Sequence, residues 1–172
     1  MRSAFSESKI IPFAKLAKWR ESLSPEIRPL VVTNGCFDLI HPGHVKVLEA
    51  ARKYGGGLLV GITCDSEVRR IKGPSRPVMT HEDRAIVVAA LGCVSAVTIF
   101  NENDACAFLV AAQPDIYAKG GDYDLDTINQ NERALLEKMG VKIRFTPHVE
   151  GISSRRLILR LSGPESPPPA DE

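Results

Sequence analysis

The chain has almost no excess of charge: 22 Lys and Arg stand against 21 Asp and Glu, a formal net charge of +1 over 172 residues. Such a balance excludes bulk attraction to nucleic acid or to an anionic membrane, so any anion the protein binds must be met by locally placed basic residues. It also lacks long apolar runs. No stretch of eighteen apolar residues appears, and the N-terminus has no signal-peptide-like core, so neither a membrane span nor an export signal is expected. Cysteine pairs are missing as well. Cys36, Cys64, Cys93 and Cys106 lie far apart with no C-x-x-C spacing, which argues against a metal knuckle or disulfide framework and fits reduced thiols in the cytoplasm. No metal-ligand set is assigned.

What is present is a regular alternation. At 44% hydrophobic the 172 residues suffice for one well-buried α/β domain and are too few for two. Short β-rich runs fall at Leu30–Thr33, Leu58–Thr63, Ala96–Phe100, Ile116–Ala118 and Lys142–Thr146. Helical patterns lie between them at Val45–Lys53, Ser66–Ile71, His81–Leu91, Ala105–Ala112 and Thr127–Met139, with a last one at Ser153–Leu161. The pattern predicts a single doubly wound, Rossmann-like sheet of five parallel strands in the order 3-2-1-4-5, with helices on both faces. Residues 1–29 read as a helical leader packed on the outside, 30–161 as the domain, and 162–172, with four prolines, as a disordered tail.

The most informative run is Asn34-Gly35-Cys36-Phe37-Asp38-Leu39-Ile40-His41-Pro42-Gly43-His44, directly after the first strand. A histidine at a helix start is usually a cap or a solvated side chain. Two ring donors, a Pro and a Gly within four residues at one strand end rarely serve packing alone. Helix N-termini present unpaired N–H groups and a positive dipole end, Pro42 suits the first turn, and Gly43 removes a side chain that would hold a phosphate off the backbone. His41 and His44 then share a face and can aim donors at one oxyanion.

Three further segments fall at the same edge of the predicted sheet. Lys119-Gly120-Gly121-Asp122-Tyr123 follows strand 4, which neighbours strand 1 at the switch point where ligands bind. Gly120 and Gly121 would admit a flat base, and Asp122 would accept from a ribose hydroxyl or base amino group. Ser153-Ser154-Arg155-Arg156 opens the last helix as a second anion site, with Ser153 also serving as a cap. Lys72 and Arg76 sit on a Gly/Pro loop after strand 2, where a basic lid could close over phosphates, and Arg84 is expected as a further phosphate contact. Arg69 and Arg70 read as a solvated face.

The run NGCFDLIHPGH resembles the HxGH motif of cytidylyltransferase-like nucleotidyltransferases. Together with VRRIKGPSRPV, HEDRA, PDIYAKGGDY and VEGISS it is similar, from Leu30 to Leu161, to the heptose 1-phosphate adenylyltransferase branch. The resemblance implies transfer of AMP from ATP to a sugar 1-phosphate, D-glycero-β-D-manno-heptose 1-phosphate first, with release of pyrophosphate and the help of Mg²⁺. It implies donation to the α-phosphate by His41 and His44, charge neutralisation by Lys72, and contacts of Ser153, Ser154 and Arg156 with the β- and γ-phosphates. The nucleotide site would extend to Asn34, Gly35, Cys36, Phe37, Asp38 and Gly43, with Asp38 orienting the turn or sharing the ion with water. Family members form dimers or larger homo-oligomers, and no nucleic acid or membrane partner is implied. Ser153-Ser154-Arg155 departs from the Ser-Thr-Thr of heptose enzymes, as does Thr127–Glu132 from their sequence after GGDY. A cytidylyltransferase using CTP on glycerol 3-phosphate is therefore the neighbouring alternative, and a non-catalytic nucleotide-binding module the rival of another class. A class I synthetase fragment is disfavoured by the lack of a KMSKS-like run.

Overall fold

The computed structural model describes residues 5–101, 105–121, 123–149 and 151–161. Asp122 and the proposed tail at 162–172 lie outside the described residues. Five strands, β1 (Leu30–Gly35), β2 (Gly57–Thr63), β3 (Ala96–Phe100), β4 (Ile116–Lys119) and β5 (Lys142–Phe145), form one sheet. Its order is β3-β2-β1-β4-β5 and every pairing is parallel, as the alternation of apolar runs and helical patterns predicts. Among the described residues seven α-helices accompany it: α1 (Leu16–Glu21), α2 (Pro42–Arg52), α3 (Asp65–Lys72), α4 (His81–Ala89), α5 (Cys106–Ala112), α6 (Gln130–Lys138) and α7 (Ser154–Leu161). Among the described residues no helix is long and apolar enough to cross a membrane.

Strand residues alternate between two cores because successive side chains point to opposite faces. Val31, Leu58, Val60, Val97 and Ala118 pack against Leu48 and Ala51 of α2 and Ala85, Val88 and Ala89 of α4. Leu30, Val32, Leu59, Ala96 and Tyr117 pack on the other face against Phe108 and Leu109 of α5 and Leu136 of α6. A sheet covered on both sides has near-continuous apolar strands, and β2 is buried at all seven positions.

Local capping agrees with the sequence. Thr80 accepts from the Asp83 amide at 3.2 Å while its hydroxyl donates to the Asp83 carboxylate at 2.8 Å, so the α4 start is tied from both sides. Asn129 caps α6 by accepting from the amides of Asn131 and Glu132, which moves the helix start to Gln130 from the expected Thr127. The leader is more than an outer cover. Leu16 of α1 is completely buried in the second core, and Arg20 donates to the Gln113 carbonyl at 2.8 Å and to Asp115 at 3.2 Å. Farther upstream, Ile10 bridges Val97 at the sheet edge, and the Lys9 ammonium donates to the Val94 carbonyl at 2.8 Å.

Candidate active site at the carboxyl edge of the sheet

The parallel sheet brings the loops after β1, β2, β4 and β5 to one edge, and those after β1 and β5, with Lys72 from the connection after β2, meet at the start of α2. His41 occupies the N-cap position of α2, with extended backbone angles, and its Nδ1 accepts from the His44 amide at 3.4 Å. That contact fixes the proton of a neutral His41 on Nε2, leaving one ring donor for a ligand. The His44 ring stacks on it, with centroids 3.8 Å apart and planes tilted by 22°, and the Phe37 ring meets His44 at 5.5 Å, tilted by 57°. Gly43 permits this arrangement. A Cβ there would stand 2.9 Å from His41 Nδ1 and 3.1 Å from Ile152 Cγ2, so the glycine makes room for the imidazole and for the segment entering α7.

Both rings are held neutral. Burial lowers the His41 pKa, and burial with the nearby charges of His41 and Lys72 lowers that of His44 to about 4. His44 Nδ1 is buried without a hydrogen-bond partner, a state seldom left unanswered in a folded protein. The depressed pKa makes a prediction for stability. An unfolded histidine titrates near 6.5, so between pH ~4 and ~6.5 the unfolded chain binds the extra proton; stability is complete above that window and lost as pH falls through it. Allowing for the part of the ring that water reaches, the loss is about 2 kcal/mol. Urea titrations at pH 7 and 4.5 should show the wild type losing more of its stability on acidification than His44→Ala does. Equal losses would contradict the shift.

The other predicted residues divide into those that face this centre and those that build its frame. Lys72, exposed at the end of α3, is close enough for its ammonium to depress His44. Ser153 accepts from the Arg156 amide at 3.2 Å and thus caps the following helix, while the Ser154 hydroxyl reaches the Leu39 carbonyl at 3.5 Å. The starts of α2 and α7 therefore lie against each other, giving two helix N-termini at one place.

Asp38 belongs to the frame. It is 1% exposed and accepts from Arg76 Nε at 2.7 Å, the Val78 amide at 3.0 Å and the Met79 amide at 3.2 Å. Burial pushes its carboxyl up, but the two amides and the Arg76 guanidinium outweigh this and hold it below the usual carboxylate range. Arg76, expected on an open lid, is instead latched to the loop after β1, with its Nη2 buried and lacking a hydrogen-bond partner. Phe37 and Leu39 flank Asp38 with φ of 48° and 29°, left-handed values that turn the carboxylate inward.

Arg84 requires a correction. Rather than contacting a phosphate it is completely buried, its guanidinium donating to the carbonyls of Met79, Cys36 and Thr63 and to Asp65. One turn into α4 is the inner side of that helix, and the charge serves to tie the loops together. Gly121 has an additional reason to be glycine. A Cβ there would meet the His148 amide nitrogen and the Thr146 carbonyl oxygen at 2.3 Å, so the close approach is to the chain after β5. Gly35 likewise lies under Phe37, whose ring edge would be 3.1 Å from its Cβ, and Cys36 contributes its carbonyl to Arg84.

Sequence reasoning did not assign a polar cluster at the ends of β1 and β4. Asn34 Oδ1 accepts from Lys119 Nζ at 3.0 Å and from the Tyr117 hydroxyl at 2.6 Å, and Tyr117 also lies 2.7 Å from Glu132 of α6. The lysine before Gly120-Gly121 and the glutamate in an otherwise amphipathic helix were the available signals. A cavity of about 360 Å³, lined by Arg28, Pro29, Asp115, Ile116 and Lys142, opens at the opposite, amino-terminal edge of the sheet and holds none of these groups. Among the described residues no group of three or more His, Cys, Asp or Glu side chains could hold a metal ion.

A family model described as cytidylyltransferase-like matches residues 32–160. Among curated proteins, the bifunctional protein HldE of Syntrophotalea carbinolica is 40% identical over 134 residues, covering 78% of this chain and 27% of that protein. The bifunctional protein HldE of Koribacter versatilis is 39% identical over 157 residues, covering 89% of this chain and 31% of its own. The chain thus spans less than a third of the length of these two relatives. Among solved structures, the lipopolysaccharide core biosynthesis protein from Thermoplasma volcanium GSS1 matches with TM-score 0.61 and 27% identity over 70% of this chain and 98% of that one. Pantoate-beta-alanine ligase from Francisella tularensis matches with TM-score 0.66 over 87% of this chain and 72% of its own, and at 14% identity it shares the fold alone. With its HPGH turn inside the matched span and three quarters of its length covered, the chain belongs to the cytidylyltransferase-like family.

Proposed function

We propose that the protein is an adenylyltransferase that transfers AMP from ATP to D-glycero-β-D-manno-heptose 1-phosphate, releasing pyrophosphate and giving an ADP-sugar. The observation that carries this reading is the stacked pair of neutral imidazoles at the opening of α2, with Lys72 beside them and the start of α7 against them. The similarity to HldE proteins and to a lipopolysaccharide core biosynthesis protein supports the heptose acceptor.

The chemistry is a single displacement. An oxygen of the acceptor phosphate forms a bond to the α-phosphorus as the bond to the bridging oxygen breaks, and that electron pair departs with pyrophosphate. The acceptor is already an anion, so no general base is needed and the work is positioning and dispersal of charge. His41 and His44 donate to the α-phosphate oxygens. Neutral rings suit this task because each keeps one N–H donor throughout and changes no charge. Lys72 balances the gathering negative charge, and Ser153, Ser154 and Arg156 receive the departing pyrophosphate at the α7 start. Asn34 to Phe37, Gly43, Gly120, Gly121 and Asp122 surround the nucleotide, while the Asp38–Arg76 pair holds the segment that follows Lys72 and α3 in place. Mg²⁺, where bound with the triphosphate, would supply further neutralisation of its charge, since the described residues form no acidic cluster to hold it. Residues 30–161 constitute the transferase unit, residues 1–29 a leader, and the working form is a cytoplasmic homo-oligomer.

A pyrophosphate-release assay tests the reading, with each nucleoside triphosphate run against heptose 1-phosphate, glycerol 3-phosphate and a panel of sugar 1-phosphates. ATP with heptose 1-phosphate should give the highest kcat/KM. A preference for CTP with glycerol 3-phosphate would replace it with a cytidylyltransferase, and ATP binding without turnover on any acceptor would leave a nucleotide-binding module.

A further inference from the structure

In the proposed reaction Lys72 balances charge at the phosphates, yet little packing holds it there. Of the residues of α3 only Val68 is fully buried, and Ile71 and Lys72 at its end are exposed. What fixes the helix lies at its start and beyond its end. At the start, Asp65 meets the buried Arg84 guanidinium at 2.6 Å, and the Cys64 thiol donates to Asn101 Oδ1 at 2.9 Å. Beyond the end, Arg76 Nε donates to Asp38 at 2.7 Å, and the amides of Val78 and Met79 donate to the same carboxylate. Lys72 stands between these two anchors, so its place is decided by the backbone that joins them.

That backbone contains a conformation that side chains rarely adopt. Gly73, directly after Lys72, closes α3 by donating its amide to the Arg69 carbonyl at 2.9 Å, then turns the chain with φ 93° and ψ 168°, a region populated almost only by glycine. Its carbonyl accepts from the Arg76 amide at 3.1 Å, which starts the turn that carries Arg76 to Asp38. Close packing does not demand the glycine, because among the described residues a Cβ would meet nothing within 4 Å. The demand is conformational. An L-residue here relaxes toward negative φ, and with Arg76 latched the displacement falls on the less restrained side, the last turn of α3 with Lys72.

We propose that Gly73 is a positioning residue: its backbone, pinned from behind by the Arg76–Asp38 pair, sets the Lys72 ammonium against the phosphates and beside the His44 ring. The contact with phosphates rests on the nucleotidyl-transfer reading above; the approach of Lys72 to His44 can be followed without it.

The test sets Gly73→Ala against Gly140→Ala, whose glycine also has a positive φ, of 71°, and open space around it but lies in the turn from α6 to β5, at the opposite edge of the sheet. Both variants should lower the thermal midpoint. Only Gly73→Ala should lower kcat/KM for ATP with heptose 1-phosphate, by about tenfold or more, with Gly140→Ala within about threefold of wild type. In a Lys72→Ala background Gly73→Ala should add less than about twofold, as expected when one residue acts through the other. A kcat/KM for Gly73→Ala within about threefold of wild type, or a further loss of about tenfold on top of Lys72→Ala, would overturn the proposal. Should Gly73→Ala fail to fold, Gly73→Ser takes its place under the same criteria. If wild type turns over no acceptor, the proposed reaction fails on its own account. Gly73 is then judged by NMR titration of the His44 ring, whose pKa the Lys72 charge helps to lower. A rise in Gly73→Ala toward the value found in Lys72→Ala supports the positioning role, and a value equal to that of wild type overturns it.

Discussion

His44→Ala is expected to lower kcat for pyrophosphate release by at least about a hundredfold, equivalent to roughly 3 kcal/mol of transition-state stabilisation. The ring lies one turn into α2, stacked on His41 and in tilted contact with Phe37, so its orientation is set by two ring neighbours. Its proton is not titrated away or doubled near neutral pH, because the pKa sits near 4. Such a preorganised donor costs no rearrangement during reaction. Because the neutral ring resists protonation, its loss should leave the fold as stable as wild type at pH 7 and less sensitive to acid. His41→Ala should also lose activity, but with a second effect. Its Nδ1 caps α2, so removal of the ring should cost about 1 kcal/mol of stability as well. Steady-state kinetics paired with urea midpoints separates the two histidines: loss of rate alone for His44, of rate and stability together for His41. Rates within threefold of wild type for both variants would remove the histidines from the chemistry.

Arg84→Met should destabilise the protein by about 3–5 kcal/mol, the largest stability loss expected for any single residue at this edge. The side chain is completely buried, and its departure would leave the Cys36, Thr63 and Met79 carbonyls short of a donor and the Asp65 carboxylate short of its closest cation, at 2.6 Å. Asp65 shows how much the site depends on this contact. Burial raises its carboxyl pKa, but the Arg84 hydrogen bond and the neighbouring His81 imidazole bring it below the ordinary value. At roughly 2–4 °C per kcal/mol for a chain of this size, the thermal midpoint should fall by about 10 °C. Calorimetry of Arg84→Met and Arg84→Lys measures this; a midpoint within 2 °C of wild type would mean that the guanidinium is not what binds these loops.

Arg84 also marks where reading the sequence stops. The strands, their order, the helices and the meeting of four loops at one edge follow from short-range periodicity and from the topology of parallel sheets, so they were legible in advance. So were the glycine in HPGH and the two histidines three apart, because each depends on neighbours within four residues. The partners of isolated charges were not legible. Arg84 meets carbonyls 21 and 48 residues away, Arg76 meets Asp38 across 38 residues, and Lys119 meets Asn34 across 85. From sequence all three arginines and lysines look alike, as basic residues near a phosphate site. Only the folded chain separates Arg84, spent on carbonyls, from Arg76, spent on a carboxylate, and from Lys119, held against an amide. The same limit hid the leader's role, since the burial of Leu16 and the reach of Lys9 to Val94 depend on contacts made only after the sheet has formed.

The most direct measurement is diffraction from crystals grown with a non-hydrolysable ATP analogue. The account predicts an α-phosphate oxygen within hydrogen-bonding distance of the His41 and His44 rings, with the terminal phosphates at the Ser153–Ser154 turn. A polyphosphate bound elsewhere, with both imidazoles turned away from it, would contradict the account at its centre.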